Sequence, residues 1–302
     1  MNKKELCNIC PRHCNKDRTS SIGFCGANNK IKIAKVMLHY YEEPIISGDD
    51  STPRQGSGAI FFSGCSLKCI YCQNYNISSG GIGKEISIET LANLFKQLEE
   101  AGAVNINLVS PTHYTLQIIE ALKLYRPHIP IVWNTSGYES LDTLKLLDGY
   151  VDIYLTDFKY MDSALAKEYS LAPNYVGLAQ QAILEMRKQQ PEDVITNGLM
   201  QKGLIIRHLL LPNGSQNALD VIKFIQTNLG TNTYISIMSQ YTPFYKACSH
   251  PILKNKIKPI EYKMCVNHLK KYNFNNVFLQ DYESASSKYT PDFTTNEKHF
   301  KY

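Results

Sequence analysis

From about residue 58 the chain alternates short apolar runs with longer stretches in which apolar residues recur every three or four positions. The short runs predict buried strands: 59–64, 104–110, 129–137, 151–159, 202–213, 233–243 and a last one at 275–281. The longer stretches predict amphipathic helices. Over 87–102, Ile88, Leu91, Phe95 and Leu98 share a face, Ser87 can cap the start and Gly102 the end. Further helices are predicted at 112–125 (stopped by Pro127), 139–149, 162–190 (broken near Pro173), 215–229 and 258–272. Strands that alternate with helices imply parallel βαβ units. Six such units over about 220 residues suit an incomplete TIM-type barrel better than a flat sheet, although a doubly wound sheet has the same periodicity.

The 302 residues are 43% hydrophobic and 20% charged, the balance of a soluble globular chain. Net charge is only +5 and forms no basic stripe, so nucleic acid is not an expected partner. The N-terminus lacks an apolar signal core and no run reaches membrane-spanning length, so a cytoplasmic location and no membrane partner are expected. In that compartment thiols stay reduced, and nine cysteines is an odd number for pairing. Cys248 and Cys265 stand alone and read as small buried apolar residues. The other seven fall into two clusters, which points to metal.

Cys65, Cys69 and Cys72 follow the first strand directly, spaced Cys-x3-Cys-x2-Cys. Gly64 allows a tight exit from that strand, and Tyr71 precedes the last thiol. A compact loop of this kind can hold three irons of a [4Fe–4S] cluster and leave the fourth for an external ligand. A zinc site with a remote fourth ligand is the competing reading. Because chemistry in βα folds gathers at the carboxyl ends of strands, the other strand ends are candidates too: Ser110, Thr112 and His113; Asn134, Thr135 and Ser136; Asp157 and Lys159; Arg207 and His208; Gln240 and Tyr241.

The cysteine motif at residues 61–74, with "EEPIISG", "SPTHY" and "IRHLLLP", resembles the radical S-adenosylmethionine (SAM) superfamily, and within it the pyruvate formate-lyase activating-enzyme-like proteins. The resemblance runs over residues 7–281. It implies a partial (β/α)6 barrel with a small Cys-rich N-terminal extension. The divisions expected are 1–30 for that metal-binding extension, 31–57 for a connecting segment, 58–281 for the barrel and 282–302 for a polar tail. It implies a [4Fe–4S] cluster on Cys65, Cys69 and Cys72, with SAM chelating the open iron, and reductive cleavage to a 5′-deoxyadenosyl radical. Implied partners are a flavodoxin- or ferredoxin-like reductant and a glycyl radical enzyme whose backbone glycine loses hydrogen. Modification of a small molecule or peptide is an alternative, as is a non-catalytic iron–sulfur or metal-binding protein.

The same resemblance makes Tyr71, Ser110, Thr112, His113, Asn134, Thr135, Ser136, Asp157, Lys159 and His208 the expected SAM-site residues. Two departures stand out. Where many members carry Gly-Gly-Glu, this chain has Ser110-Pro111-Thr112-His113, so another acceptor must meet the SAM amino group. In the family's Asp-Thr-Asn-Gly motif, whose Asp and Thr hold a monovalent cation together with the later Asp, Asn134 replaces the first Asp, which removes a negative charge from that site. Arg207 and His208 are adjacent and must face opposite ways, and by resemblance His208 faces SAM. Separately, Cys7, Cys10, Cys14 and Cys25 can close a tetrahedral zinc site or bind an iron–sulfur cluster, with His13 as a spare ligand.

Overall fold

A computed structural model describes residues 6–49, 56–280, 292–293 and 300–302. The alternating pattern becomes, in chain order, β1 (Ile31–His39), α1 (Pro44–Ser47), β2 (Ser57–Phe62), α2 (Tyr75–Ser78), β3 (Lys84–Ile86), α3 (Ile88–Glu100) and β4 (Ile106–Val109). Then follow α4 (Thr115–Leu124), β5 (Ile131–Thr135), α5 (Leu141–Leu147), β6 (Ile153–Asp157), α6 (Ser163–Ser170) and α7 (Tyr175–Gln189). The last elements are β7 (Val194–Thr196), β8 (Leu199–Leu209), α8 (Ser215–Leu229), β9 (Tyr234–Met238), α9 (Pro259–Lys271) and β10 (Val277–Leu279).

The strands form one sheet in the order β10-β9-β8-β6-β5-β4-β2-β1-β3. Pairing is parallel from β10 to β2, and β1 and β3 add on antiparallel. The sheet does not close, so the architecture is the expected α/β partial TIM-type barrel. Segment 31–57, read from sequence as a connector, supplies β1, which pairs with both β2 and β3, and the one-turn helix α1. The hairpin from β7 to β8 was also not expected; it turns at Asn197 and Gly198, both with positive φ (52° and 78°), the conformation that tight hairpins favour.

The two faces of the sheet do different jobs. On the convex face Phe62, Leu108, Trp133, Tyr154, Ile206 and Ile237 are buried under the helices, in one core with Phe95, Leu98, Ile118, Ile183 and Ile225. Ser87 accepts the Thr90 amide at 3.1 Å, the expected cap that starts α3. On the concave face Ile46 of α1 packs with Val132, Ile153, Leu155 and Ile205. This plug fills the part of the barrel nearest the strand starts and leaves the carboxyl ends for a cavity. Most of the expected tail, 282–302, lies outside the described residues; of those described, Phe293 packs on Phe61 at 5.5 Å between ring centres and Phe300 joins the helix-side core. No helix among the described residues is long and apolar enough to cross a membrane.

Phe95 is fully buried between α3 and the sheet. Phe95→Ala removes a large apolar side chain and leaves a cavity, so stability is expected to fall by about 3–5 kcal/mol. The change is read as a lower urea midpoint, followed by the fluorescence of the single tryptophan, Trp133.

Candidate functional site

β2 ends at Phe62 and the chain leaves it through Ser63 and Gly64. Gly64 has φ of 92°, and a Cβ there would lie 2.7 Å from the Cys25 carbonyl oxygen, so the turn admits only glycine comfortably. The same Cys25 carbonyl accepts the Cys65 amide at 3.0 Å. The loop then brings Cys65, Cys69 and Cys72 to one cavity of about 270 Å³ at the carboxyl ends of the parallel strands.

Burial pushes the Cys65 thiol up to about 12, with the neighbouring Cys69 and Cys72 adding to it; burial and Cys69 likewise push Cys72 up. Without a cation, burial favours the neutral thiol at Cys65 and Cys72. Ser170 donates to the Cys69 sulfur at 2.9 Å, and Tyr71, Tyr160 and Ser170 form a hydroxyl chain with steps of 2.7 Å. Ser78 sits 3.3 Å from the Cys72 sulfur. Soft donors backed by hydroxyl groups on one cavity suit an iron–sulfur cluster. Among the described residues no three His, Cys, Asp or Glu side chains close round the point of a single ion. The three thiols share a wider volume instead.

The same cavity carries an ionic wall. Arg207 donates from Nε to Asp157 at 3.1 Å, from Nη1 to Glu42 at 3.0 Å and from Nη2 to Asn134 Oδ1 at 2.5 Å. Lys159 donates to the other Asp157 oxygen at 2.6 Å. Asn134 and Asn107 donate to Glu42 Oε1 at 3.3 and 2.9 Å. Burial alone would raise the Asp157 pKa, but the charges of Lys159 and Arg207 outweigh it and hold the carboxyl below its ordinary value. The Lys159 ammonium loses to burial and gains more from Asp157, then Cys69, so it is held above its ordinary value. Burial pushes the adjacent Glu43 up, despite Arg207.

Of the expected SAM-site residues, Tyr71, Ser110, Asn134, Thr135, Ser136, Asp157 and Lys159 line this cavity, as do Gln240 and Tyr241. Three do not. Thr112 donates to Glu139 at 2.6 Å, beneath the wall. His113 is buried behind Gly64 and its Nε2–H donates to the Ser63 carbonyl at 2.7 Å. His208 faces the helix side, its Nδ1–H donating to the Phe158 carbonyl at 2.6 Å. Burial depresses both histidines to about 4, so they are neutral structural donors. The expectation that His208 faces SAM is therefore corrected. Strand alternation turns Arg207 inward; of the three residues expected at a monovalent cation, Asn134 and Asp157 turn their oxygens to its guanidinium, while the Thr135 hydroxyl donates to Glu139. Sequence reasoning missed Glu42 and Glu139. Adjacent acids in "YYEEP" were the available signal for the first; nothing set the second apart from an ordinary helix-start glutamate.

The N-terminal extension is strapped to this site. Arg12 donates to the Ser66 carbonyl at 2.7 Å and the Ser170 carbonyl at 3.1 Å, and Ser140 donates to the Ile9 carbonyl at 3.0 Å. Cys14 and Cys25 sulfurs lie 3.5 and 3.4 Å from the point where a Gly23 Cβ would sit. Arg18 approaches the Cys7 sulfur at 4.0 Å. Cys10 is pushed up to about 12, first by burial and then, among other contributions, by Cys25, Glu139 and Cys7, so the thiols of this quartet sense one another. Cys265 is buried as expected, whereas Cys248 is exposed.

Glu139 accepts from Thr112, Thr135 and Trp133 through one oxygen, while its second oxygen is buried with no partner among the described residues. Burial raises its pKa from 4.5 to about 7, against those three donors. The folded state therefore holds a proton that the unfolded chain releases between these values, and stability falls as pH rises from about 4.5 to 7. Glu139→Gln is expected to lack this component, on the order of 3 kcal/mol. The check is the difference in urea midpoints between the two proteins across that pH range.

The matching family model is the Radical SAM superfamily, over residues 59–210. The uncharacterized protein MJ0674 of Methanocaldococcus jannaschii is 28% identical over 282 residues, covering 90% of this chain and 76% of that one. Streptococcus suis SuiB, solved bound to the precursor peptide SuiA, is 14% identical with a TM-score of 0.48, over 72% of this chain and 46% of SuiB. Native anSMEcpe with bound AdoMet is 14% identical with a TM-score of 0.45, over 72% of this chain and 61% of that one. This chain thus spans about half to three-fifths of the solved chains it matches. The family match covers half of the sequence and contains the three-cysteine loop and the strand ends of the cavity wall: the chain belongs to the radical SAM superfamily.

Proposed function

We propose that this chain is an enzyme that cleaves SAM reductively and uses the resulting radical to take a hydrogen atom from a partner protein, a backbone glycine of a glycyl radical enzyme. The observation that carries the SAM reading is the convergence of Cys65, Cys69 and Cys72 with Asn134, Asp157 and Lys159 on one cavity. The glycine substrate rests on the resemblance to activating enzymes set out above. When bound, the [4Fe–4S] cluster supplies an electron to the SAM sulfonium, giving methionine and a 5′-deoxyadenosyl radical.

The chain's own residues do the rest. Cys65, Cys69 and Cys72 would hold the cluster. Ser170 donates to the Cys69 sulfur and keeps it oriented. Ser110, Asn134, Thr135 and Ser136 offer hydroxyl, amide and backbone partners to the polar groups of SAM. Leu67, Tyr241 and Phe244 give the cavity apolar walls that exclude water from a reactive radical. A flavodoxin- or ferredoxin-like protein serves as reductant.

The N-terminal thiols Cys7, Cys10, Cys14 and Cys25 are proposed as a second, closed metal site, zinc or iron–sulfur, in the extension of residues 1–30. Four thiols with no open position suit a structural or electron-relay role. Closing on one zinc ion would require the sulfurs to draw together.

The test is anaerobic loading with iron and sulfide, reduction, addition of SAM and chromatography for 5′-deoxyadenosine. Wild type is expected to form it, and Cys69→Ala to fall to the uncatalysed background. Cys10→Ala is expected to lose metal or stability while the SAM-binding cluster still assembles. Unaltered turnover in Cys69→Ala would falsify the assignment. A glycyl radical signal on a candidate partner supports the proposed substrate; SAM cleavage with no such signal on any glycyl radical enzyme moves the substrate to a small molecule or peptide.

A further inference from the structure

The ionic wall of the cavity is complete without a metal cation. Asp157 and Glu42 are 17% and 10% exposed, and Arg207 and Lys159 are 13% and 17% exposed. These four charged side chains sum to zero, and burial raises the pKa of the adjacent Glu43, which favours its neutral form. The guanidinium fits its three oxygen partners by shape as well as charge, since its donors lie in a rigid fork. Three of its five N–H donors are used in this way among the described residues, and the others are left for a ligand in the cavity.

Asn134 belongs to the same design. Its oxygen accepts from Arg207 and its NH2 group donates to Glu42. A carboxylate in its place could accept from Arg207 but would repel Glu42, and the wall would carry one unbalanced negative charge. Such a wall would call for a bound cation, whereas the asparagine form does not.

The structure assigns to Arg207 the part of a tethered cation: its guanidinium fills the oxygen site formed by Asn134, Asp157 and Glu42, so SAM binding needs no free monovalent ion. A potassium or sodium ion could enter only by displacing a guanidinium held by three hydrogen bonds in a site shielded from water. Breaking such a buried arrangement is strongly unfavourable unless another cation takes its place. Arg207 is thus a positioning residue. From β8 it ties Asn134 at the end of β5, Asp157 at the end of β6 and Glu42 before α1, and presents a fixed positive charge to the cavity. This inference rests on the SAM-binding reading above.

The experiment is equilibrium dialysis of labelled SAM against the cluster-loaded protein, in potassium, sodium or choline chloride at matched ionic strength. Wild type is expected to bind with the same Kd in all three salts, within about twofold. Asn134→Asp adds the missing carboxylate with little change of shape, and is expected to bind at least about fivefold more tightly in potassium or sodium than in choline. Arg207→Met is expected to weaken binding in choline by about tenfold or more, with partial recovery in potassium. Wild-type binding that collapses in choline overturns the inference. So does an Asn134→Asp protein indifferent to the salt. Loss of SAM binding by the loaded wild type in every salt would strike the SAM reading itself, which is a separate result.

Discussion

A carboxylate taken out of water has to be met by cations, and Asp157 is met by two. Lys159 follows it by two residues, and Arg207 reaches it from the adjacent strand, where Asp157 and Arg207 stand opposite each other in parallel register. Through Arg207 the constraint extends to Glu42 before α1 and to Asn134 at the end of β5. Residues distant in sequence are thereby locked into one wall. The cavity thus carries fixed charges together with the three sulfurs. The residues that would hold SAM can therefore be in place before it arrives, which is the economical way to orient a reactive ligand.

The second organising contact lies at the other end of the motif. The Cys25 carbonyl sits against Gly64 and accepts from Cys65, so the last thiol of the N-terminal set and the first thiol of the barrel set share a backbone hydrogen bond. Arg12 adds a strap from the extension to the Ser66 and Ser170 carbonyls. Ser170 in turn donates to the Cys69 sulfur. The extension therefore bears on the three-thiol loop at both its start and its middle.

Much of the barrel was legible because its signals are strong. Strands buried on both faces read as unbroken apolar runs, and α3 and α8 carry clean helical periodicity. Segment 31–57 was misread because β1 carries Lys32 and Lys35 among its apolar residues and is followed only by the one-turn α1, so it breaks the βα rhythm. The thiol loop and most of the strand-end residues were legible from position alone. His208 was not: two adjacent polar residues on a strand face opposite ways, and only the register with β6 shows that Arg207 is the one turned inward. Glu139 was hidden for another reason. Its partners Thr112, Trp133 and Thr135 lie on two different strand ends, and their convergence is a property of the fold.

The central claim is that three thiolates leave one iron of a cubic cluster open to the sulfonium ligand. Electron paramagnetic resonance of the reduced, anaerobically loaded protein, recorded before and after addition of SAM, addresses it at the site itself. The account predicts a reduced-cluster signal whose g-values and line shape shift when SAM binds. A fully loaded, reduced cluster whose spectrum is untouched by excess SAM would contradict it.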